Sequence, residues 1–259
     1  MRERGGRVLE IHTAGREILG RPRDLARPHG LFVGPDGWQG WAGIATTRRE
    51  ALARAVEHGE HDAPVYLGAR VLTIDGWVLA PTERELVHES ESVTGLLSGQ
   101  RERITVSHLG ATRWADGRVV LATAEPGRRV KRGLYAAAFQ VQMTCADPRR
   151  YGEDQTFPRS GTARTPTASH RGNFPAYPVI EIPGAPAAYT ITSPGGTFTV
   201  SGAVAGGTHT VDMRRGRVFR DGVEMLDVGV GNLWAIPPGA RWQHTLSVAG
   251  RVRITDTYI

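Results

Sequence analysis

Apolar and polar side chains alternate with a period of two along most of the chain, which is the pattern of strands with one buried face. From Leu134 to Cys145, Tyr135, Ala137, Phe139, Val141 and Met143 fall on one side while Gln140, Gln142 and Thr144 fall on the other, predicting a strand. Ile104–Leu109 and Arg118–Thr123 flank Ala-Asp-Gly at 115–117, where Asp116 and Gly117 suit the positive φ of a tight hairpin turn. Further strands are predicted over Arg7–His12, Val65–Ile74, Val78–Ala80, Val179–Ile182, Tyr189–Thr192, Thr197–Ser201, Thr208–Met213, Arg217–Arg220 and Gln243–Val248.

Helical spacing is scarce. Over Glu83–Ser98, Pro81 precedes a Thr82 cap with Glu85 three residues on, Leu86, Val93 and Leu97 line one side, and Gly99 is the stop. A second, weakly periodic stretch, Arg48–His58, ends at Gly59 and reads as a short helix.

Between Asp147 and Pro178 the chain is dense in Pro, Gly, Ser, Thr and Arg without sustained periodicity, which predicts a connector. After it come short strands separated by Gly- and Pro-rich turns at 193–196, 205–207, 220–222 and 237–239, the pattern of an antiparallel sandwich. A length of 259 residues allows two modest cores or one large all-β unit. The expected class is mainly β: a β-rich domain with one helix over 1–150, a linker over 151–171 and a β-sandwich over 172–259, its last strand free to return to the first domain.

No run of about 18 apolar residues exists, so no helix is expected to cross a membrane. The start, MRERGGRVLEIHTAG, lacks the apolar stretch of a secretory signal, so export by that route is not expected. The net charge of +6 and pI near 10.1 suggest nucleic acid, but the distribution argues otherwise. Residues 1–150 hold 22 basic and 18 acidic side chains and residues 151–259 hold 10 and 8, a balance of +4 and +2 with the signs mixed. Of the 32 basic residues only Lys131 is lysine, and arginine suits planar pairing at protein interfaces. A protein partner is therefore favoured over DNA.

Little in the chain points to a reaction. Cys145, the single cysteine, lies on the apolar face of its strand and reads as core. His58 and His61 are separated by Gly59 and read as a solvated loop, not metal ligands. His12, His29, His88, His108, His170, His209 and His244 are scattered and read as partly exposed polar residues. Nucleophile-elbow, phosphate-loop, zinc-protease and paired-cysteine motifs are missing. The glycine-rich stretch 227–232 leads into Leu233, Trp234 and two prolines instead of a helix, so it is not a dinucleotide loop. Glu89 and Glu91, two apart on the helix, do not share a face. No catalytic, cofactor-binding or metal residue is assigned, and no cofactor is expected.

Six tryptophans are more informative. Trp38 and Trp41 sit in the Gly-rich GPDGWQGW, and Trp77, Trp114, Trp234 and Trp242 lie in or beside strands. Trp38, Trp41, Trp234 and Trp242 are candidate contact positions, for stacking on sugars or anchoring a protein, against the plain alternative that they cover the core.

The order of these features resembles a family. HDAPVYLGARVLTIDGWVLAPTERELVHESESVTGLL (61–97), ITVSHLGATRWADGRVV (104–120) and YAAAFQVQMTCADPRRYG (135–152) are similar to the N-terminal domain of distal tail proteins of long-tailed siphophages. GNFPAYPVIEIPG (172–184), LWAIPPGARWQHTLSV (233–248) and ITDTYI (254–259) resemble their C-terminal galectin-like sandwich. The resemblance implies a barrel-like ring-forming domain, a homo-hexamer continuing the tail tube, and a structural rather than enzymatic role. It also implies tail-tube and tail-tip or lysin-bearing partners and a place in the virion's baseplate or tail tip after assembly in the host cytoplasm. Residues 36–62 would be an insertion able to form a belt around the ring. A cell-wall glycan is a further candidate ligand of the sandwich, which would make the chain an adhesin, although no His-Asn-Arg-Trp-Glu constellation at carbohydrate-site spacing is present in 172–259.

Overall fold

The computed structural model describes residues 9–259, which divide into two compact units, one up to Arg150 together with Ile259 and the other Tyr151–Tyr258. In the first unit a closed barrel forms. Its strands run, in spatial order, Ala111–Ala124, Arg101–His108, Glu10–Thr13, Arg16–Leu19, Gly30–Gln39, Arg70–Ala80 and Leu134–Cys145, which pairs back onto Ala111–Ala124. All neighbours are antiparallel except Arg16–Leu19, which lies parallel to Gly30–Gln39. Closure removes the free edges that an open sheet of this length would present.

Leu134–Cys145 is central because it pairs on both sides. Its alternation holds as expected: Ala137, Phe139, Val141, Met143 and Cys145 are buried. They meet Ile11, Ile18, Leu72, Ile74, Val78, Ile104 and Val106 in one core. Each buried aliphatic side chain of this size contributes roughly 1.5–3 kcal/mol. The helix Glu83–Thr94 adds Leu86 and Val93 to the same core. Thr82 caps it, its side chain accepting from the Glu85 amide at 3.2 Å, as the sequence predicts. The helix stops at Gly95, short of Ser98, and the chain turns so that Leu96 is buried while the expected Leu97 is exposed.

Several expectations need correction. The hairpin turns at Leu109–Gly110, whose φ values are 49° and 82°, and Asp116–Gly117 lie inside a strand. Gly117 is required there for space: a Cβ would stand 2.8 Å from Met143 Cγ and 2.9 Å from Cys145 Sγ. The break expected between Val65–Ile74 and Val78–Ala80 does not occur, and Arg70–Ala80 is one strand. Arg48–His58 is not a helix; Thr47–Arg48 pairs with Tyr66–Leu67, and Ala53 bridges Glu60. Of the strand expected over Arg7–His12, residues 7 and 8 lie outside the described residues and the remainder falls in Glu10–Thr13.

In the second unit one sheet runs Val223–Met225, Arg217–Arg220, Thr208–Asp212, Val179–Pro183, Arg251–Tyr258 and Arg150–Phe157. The other runs Gly229–Gly231, Gly196–Val200, Tyr189–Ser193 and Thr245–Leu246. Ile180, Val211 and Val252 of the first sheet share a core with Ile191, Phe198 and Val200 of the second, so the two sheets form a sandwich. The stretch expected as a linker carries the strands Arg150–Phe157 and Thr167–Ser169, because Pro and Gly mark the ends of strands here and not an absence of them. The last strand, Arg251–Tyr258, pairs with Val179–Pro183 within the sandwich, and only Ile259 groups with the first unit.

Candidate interaction surfaces

Arg70 opens the strand Arg70–Ala80 and points into the barrel unit with 1% of its surface exposed. A buried guanidinium must have acceptors for its donors. Nε donates to Pro148 O at 2.8 Å, and Nη1 donates to Gly40 O at 2.6 Å, Gly43 O at 2.7 Å and Trp41 O at 3.2 Å. One side chain thus ties the bend at 40–43 to the bend at 148. Burial lowers the Arg70 pKa from its ordinary value. Arg150 donates to Ile259 O at 2.7 Å, lies 5.7 Å from the Trp41 ring centroid, and is lowered to about 10, first by burial and then by Arg70 and Arg113. Burial raises the fully enclosed Cys145 thiol to about 11, so it stays protonated and inert at neutral pH.

This packing decides the fate of the tryptophan candidates in the first unit. Trp41 is 8% exposed and belongs to the core; Trp38 is half-buried in the strand Gly30–Gln39, with its ring centroid 5.7 Å from that of Trp41. Neither stands in an open loop, because Arg70 draws the glycine-rich segment against the barrel.

Beyond Trp41 an arm extends. Arg49 holds it by donating to Ala63 O at 3.2 Å and pairing with Glu60, while Arg48 lies 5.8 Å over the Tyr66 ring. Several of its large apolar side chains are exposed: Ile44, Leu52, Val56, Val65 and Tyr66, Val56 almost completely. His58 and His61 are exposed on the same arm, and among the described residues no group of three His, Cys, Asp or Glu side chains gathers to hold a metal.

In the second unit Trp234 is 4% exposed and donates its indole N–H to His244 Nε2 at 3.3 Å. That removes Trp234 from the candidate contacts, since a ring enclosed by protein offers no face to a ligand. Trp242 is half-buried and packs against the same core. His170, His209 and His244, expected to be partly exposed, are all buried. Each has a structural partner. His170 Nε2 donates to Phe174 O at 2.7 Å and Nδ1 faces Asp256 Oδ1 at 3.1 Å. His209 Nε2 donates to Val204 O at 2.9 Å, leaving Nδ1 to accept from the Tyr189 hydroxyl at 3.3 Å. Burial pushes the Tyr189 hydroxyl pKa up and the His244 pKa down to about 4, the latter partly opposed by the Trp242 backbone. These pairs cross-link strands and loops. No sequence signal distinguished them from surface histidines, because burial of a lone polar residue depends on contacts far along the chain.

No protein-family model and no curated protein matches this sequence. Solved structures do match. The Dit protein (gp 19.1) of phage SPP1, described as a paradigm of the hub adsorption apparatus in phages that infect Gram-positive bacteria, is 16% identical. The match covers 98% of this chain and 100% of that one, with a TM-score of 0.69. The chain has the fold of a phage distal tail protein. Two structures of the phage P2 baseplate in its activated conformation, with Ca and with Sr, are each 10% identical. They cover 96% and 97% of this chain and 97% and 98% of those, with TM-scores of 0.47 and 0.48. The distal-tail-protein fold spans barrel and sandwich alike, so the likeness to the SPP1 protein is not confined to one unit.

Proposed function

We propose that this chain is a structural protein of a phage tail, a distal tail protein whose copies form a hexameric ring between the tail tube and the tail tip or baseplate. The observation that carries this reading is the end-to-end likeness to the SPP1 hub protein, barrel and sandwich together, at 16% identity. Within the reading, residues 1–150 form the ring, the sandwich is galectin-like and faces outward, and the arm within 36–62 lies as a belt on the adjoining copy. The exposed Ile44, Leu52 and Val56 of that arm support the last point, since apolar side chains exposed to water can be buried by a protein contact. Heterologous contacts that close on themselves generate such a ring. The tail tube and a tail-tip or lysin-bearing protein are its partners, and it works in the virion after assembly in the host cytoplasm. A structural role accords with buried titratable groups engaged in cross-links, with no enzymatic activity assigned.

Light scattering and negative-stain imaging of the purified full chain test the proposal. A ring of six is the expected particle; a strictly monomeric species at micromolar concentration would overturn it. The adhesin alternative has lost Trp234 as a stacking platform and keeps only the half-buried Trp242. A glycan array with the full chain tests it, and silence across bacterial cell-wall glycans removes it.

A further inference from the structure

Several arginines of this protein are neutralised close to home. Arg23 pairs with Glu17, Arg103 with Asp116, Arg217 with Glu224 and Arg253 with Glu181. The hairpin 125–133 differs in that its cations are clustered. Arg128, Arg129, Lys131 and Arg132 fall within five residues, every one of them is exposed, and none has a carboxylate partner among the described residues. Like charges held this close repel one another, so their concentration on one hairpin opposes folding unless an anionic partner relieves it.

The backbone adds a second feature. Among the described residues, Arg128–Lys131 pairs with Leu134–Cys145 along one side only, and no strand lies on its other side. Val130 is skipped in the register of that pairing and is 55% exposed. Cationic side chains on an open edge repel neutral or basic strands from joining it, but they attract an acidic one. Arginine's planar fork also matches carboxylate geometry.

We propose that the hairpin 125–133 docks an extended, acidic polypeptide segment of another protein, which joins the free edge of Arg128–Lys131 as an added strand and sets its carboxylates against the four cations. Nucleic acid fits less well. It has no strand to add, and residues 125–133 contain no aromatic side chain on which a base could stack. The inference stands apart from the ring reading, since a solitary chain presents the same hairpin.

Fluorescence anisotropy with the full chain tests it, using a labelled peptide of alternating Glu and Thr as one probe and a labelled duplex DNA as the other. Saturable peptide binding is expected at low salt, weakening as salt screens the contact. Arg128→Glu combined with Arg129→Glu should weaken it at least about tenfold. Val130→Pro removes a backbone N–H from this strand without touching a charge and should weaken it as well. Thermal unfolding that matches the parent ensures that either loss belongs to the hairpin. Absence of peptide binding at low salt, leaving the charges as guards of an open edge, would overturn the inference. So would tighter binding of the duplex than of the peptide, or parent-like binding by Val130→Pro.

Discussion

Trp234 and His244 are joined in the sandwich core by an indole N–H donated to Nε2 at 3.3 Å, with their ring centroids 6.1 Å apart and tilted by 37°. The donated bond requires an unprotonated Nε2, and burial keeps it so by lowering the His244 pKa to about 4. In the unfolded chain the same imidazole titrates near its ordinary 6.5. As pH falls below about 6.5 the unfolded state takes up a proton that the folded state refuses until about 4, so stability present at neutral pH is lost across that window. The full effect of one such group is on the order of 3 kcal/mol. Thermal unfolding measured from pH 7 to pH 4.5 should show a falling Tm, and His244→Gln, which retains an acceptor, should flatten the fall. Equal slopes for the parent and the variant would rule out His244 as the source.

Gly117 makes a prediction about packing. Its φ is not in the left-handed region, so Gly117→Ala tests space alone. The added Cβ would meet Met143 Cγ, Cys145 Sγ and Thr144 O, all at 2.8–2.9 Å, and Leu134–Cys145 cannot retreat because it is paired on both sides. A loss of about 1–3 kcal/mol in denaturant unfolding is expected. Neutrality would mean that the strands separate there with little resistance.

That same glycine shows what the sequence discloses and what it conceals. Asp-Gly is a strong local sign of a turn, and it misleads at 116–117 because the decisive contact comes from a strand that follows some 25 residues later. The true turn, Leu109–Gly110, has an uncommon first residue and gave little warning. Leu134–Cys145 and the Thr82 cap were legible since alternation and capping are local properties. The strand Arg16–Leu19, of only four residues, has no such pattern to offer and owes its place to barrel closure. Burial of Trp41 and Trp234 was equally hidden, for it depends on Arg70 in one case and on the second sheet in the other.

Arg70 itself should behave as a structural pin. Arg70→Met keeps much of the side-chain volume and removes the donors that serve Gly40, Gly43 and Pro148. Leaving several buried carbonyls without partners is expected to destabilise by about 3 kcal/mol or more. Hydrogen exchange should quicken first around residues 38–43, where the bend depends on this cation. Unchanged protection there would show that the bend holds without it.

The arm offers the sharpest separation between folding and assembly. Leu52 and Val56 are 75% and 96% exposed, so replacing both with Asp removes no packing within the chain. Surface changes of this kind usually alter stability by no more than about 0.5 kcal/mol. If the arm lies on the adjoining copy of a ring, however, two carboxylates would have to be buried in that contact without partners, a large penalty at each of six equivalent positions. The doubly substituted chain should therefore unfold at the parent's temperature yet fail to form the six-membered particle in light scattering. A variant that still closes into rings would place the arm outside the interface, and one that unfolds early would give the arm an unrecognised part in the barrel's own stability.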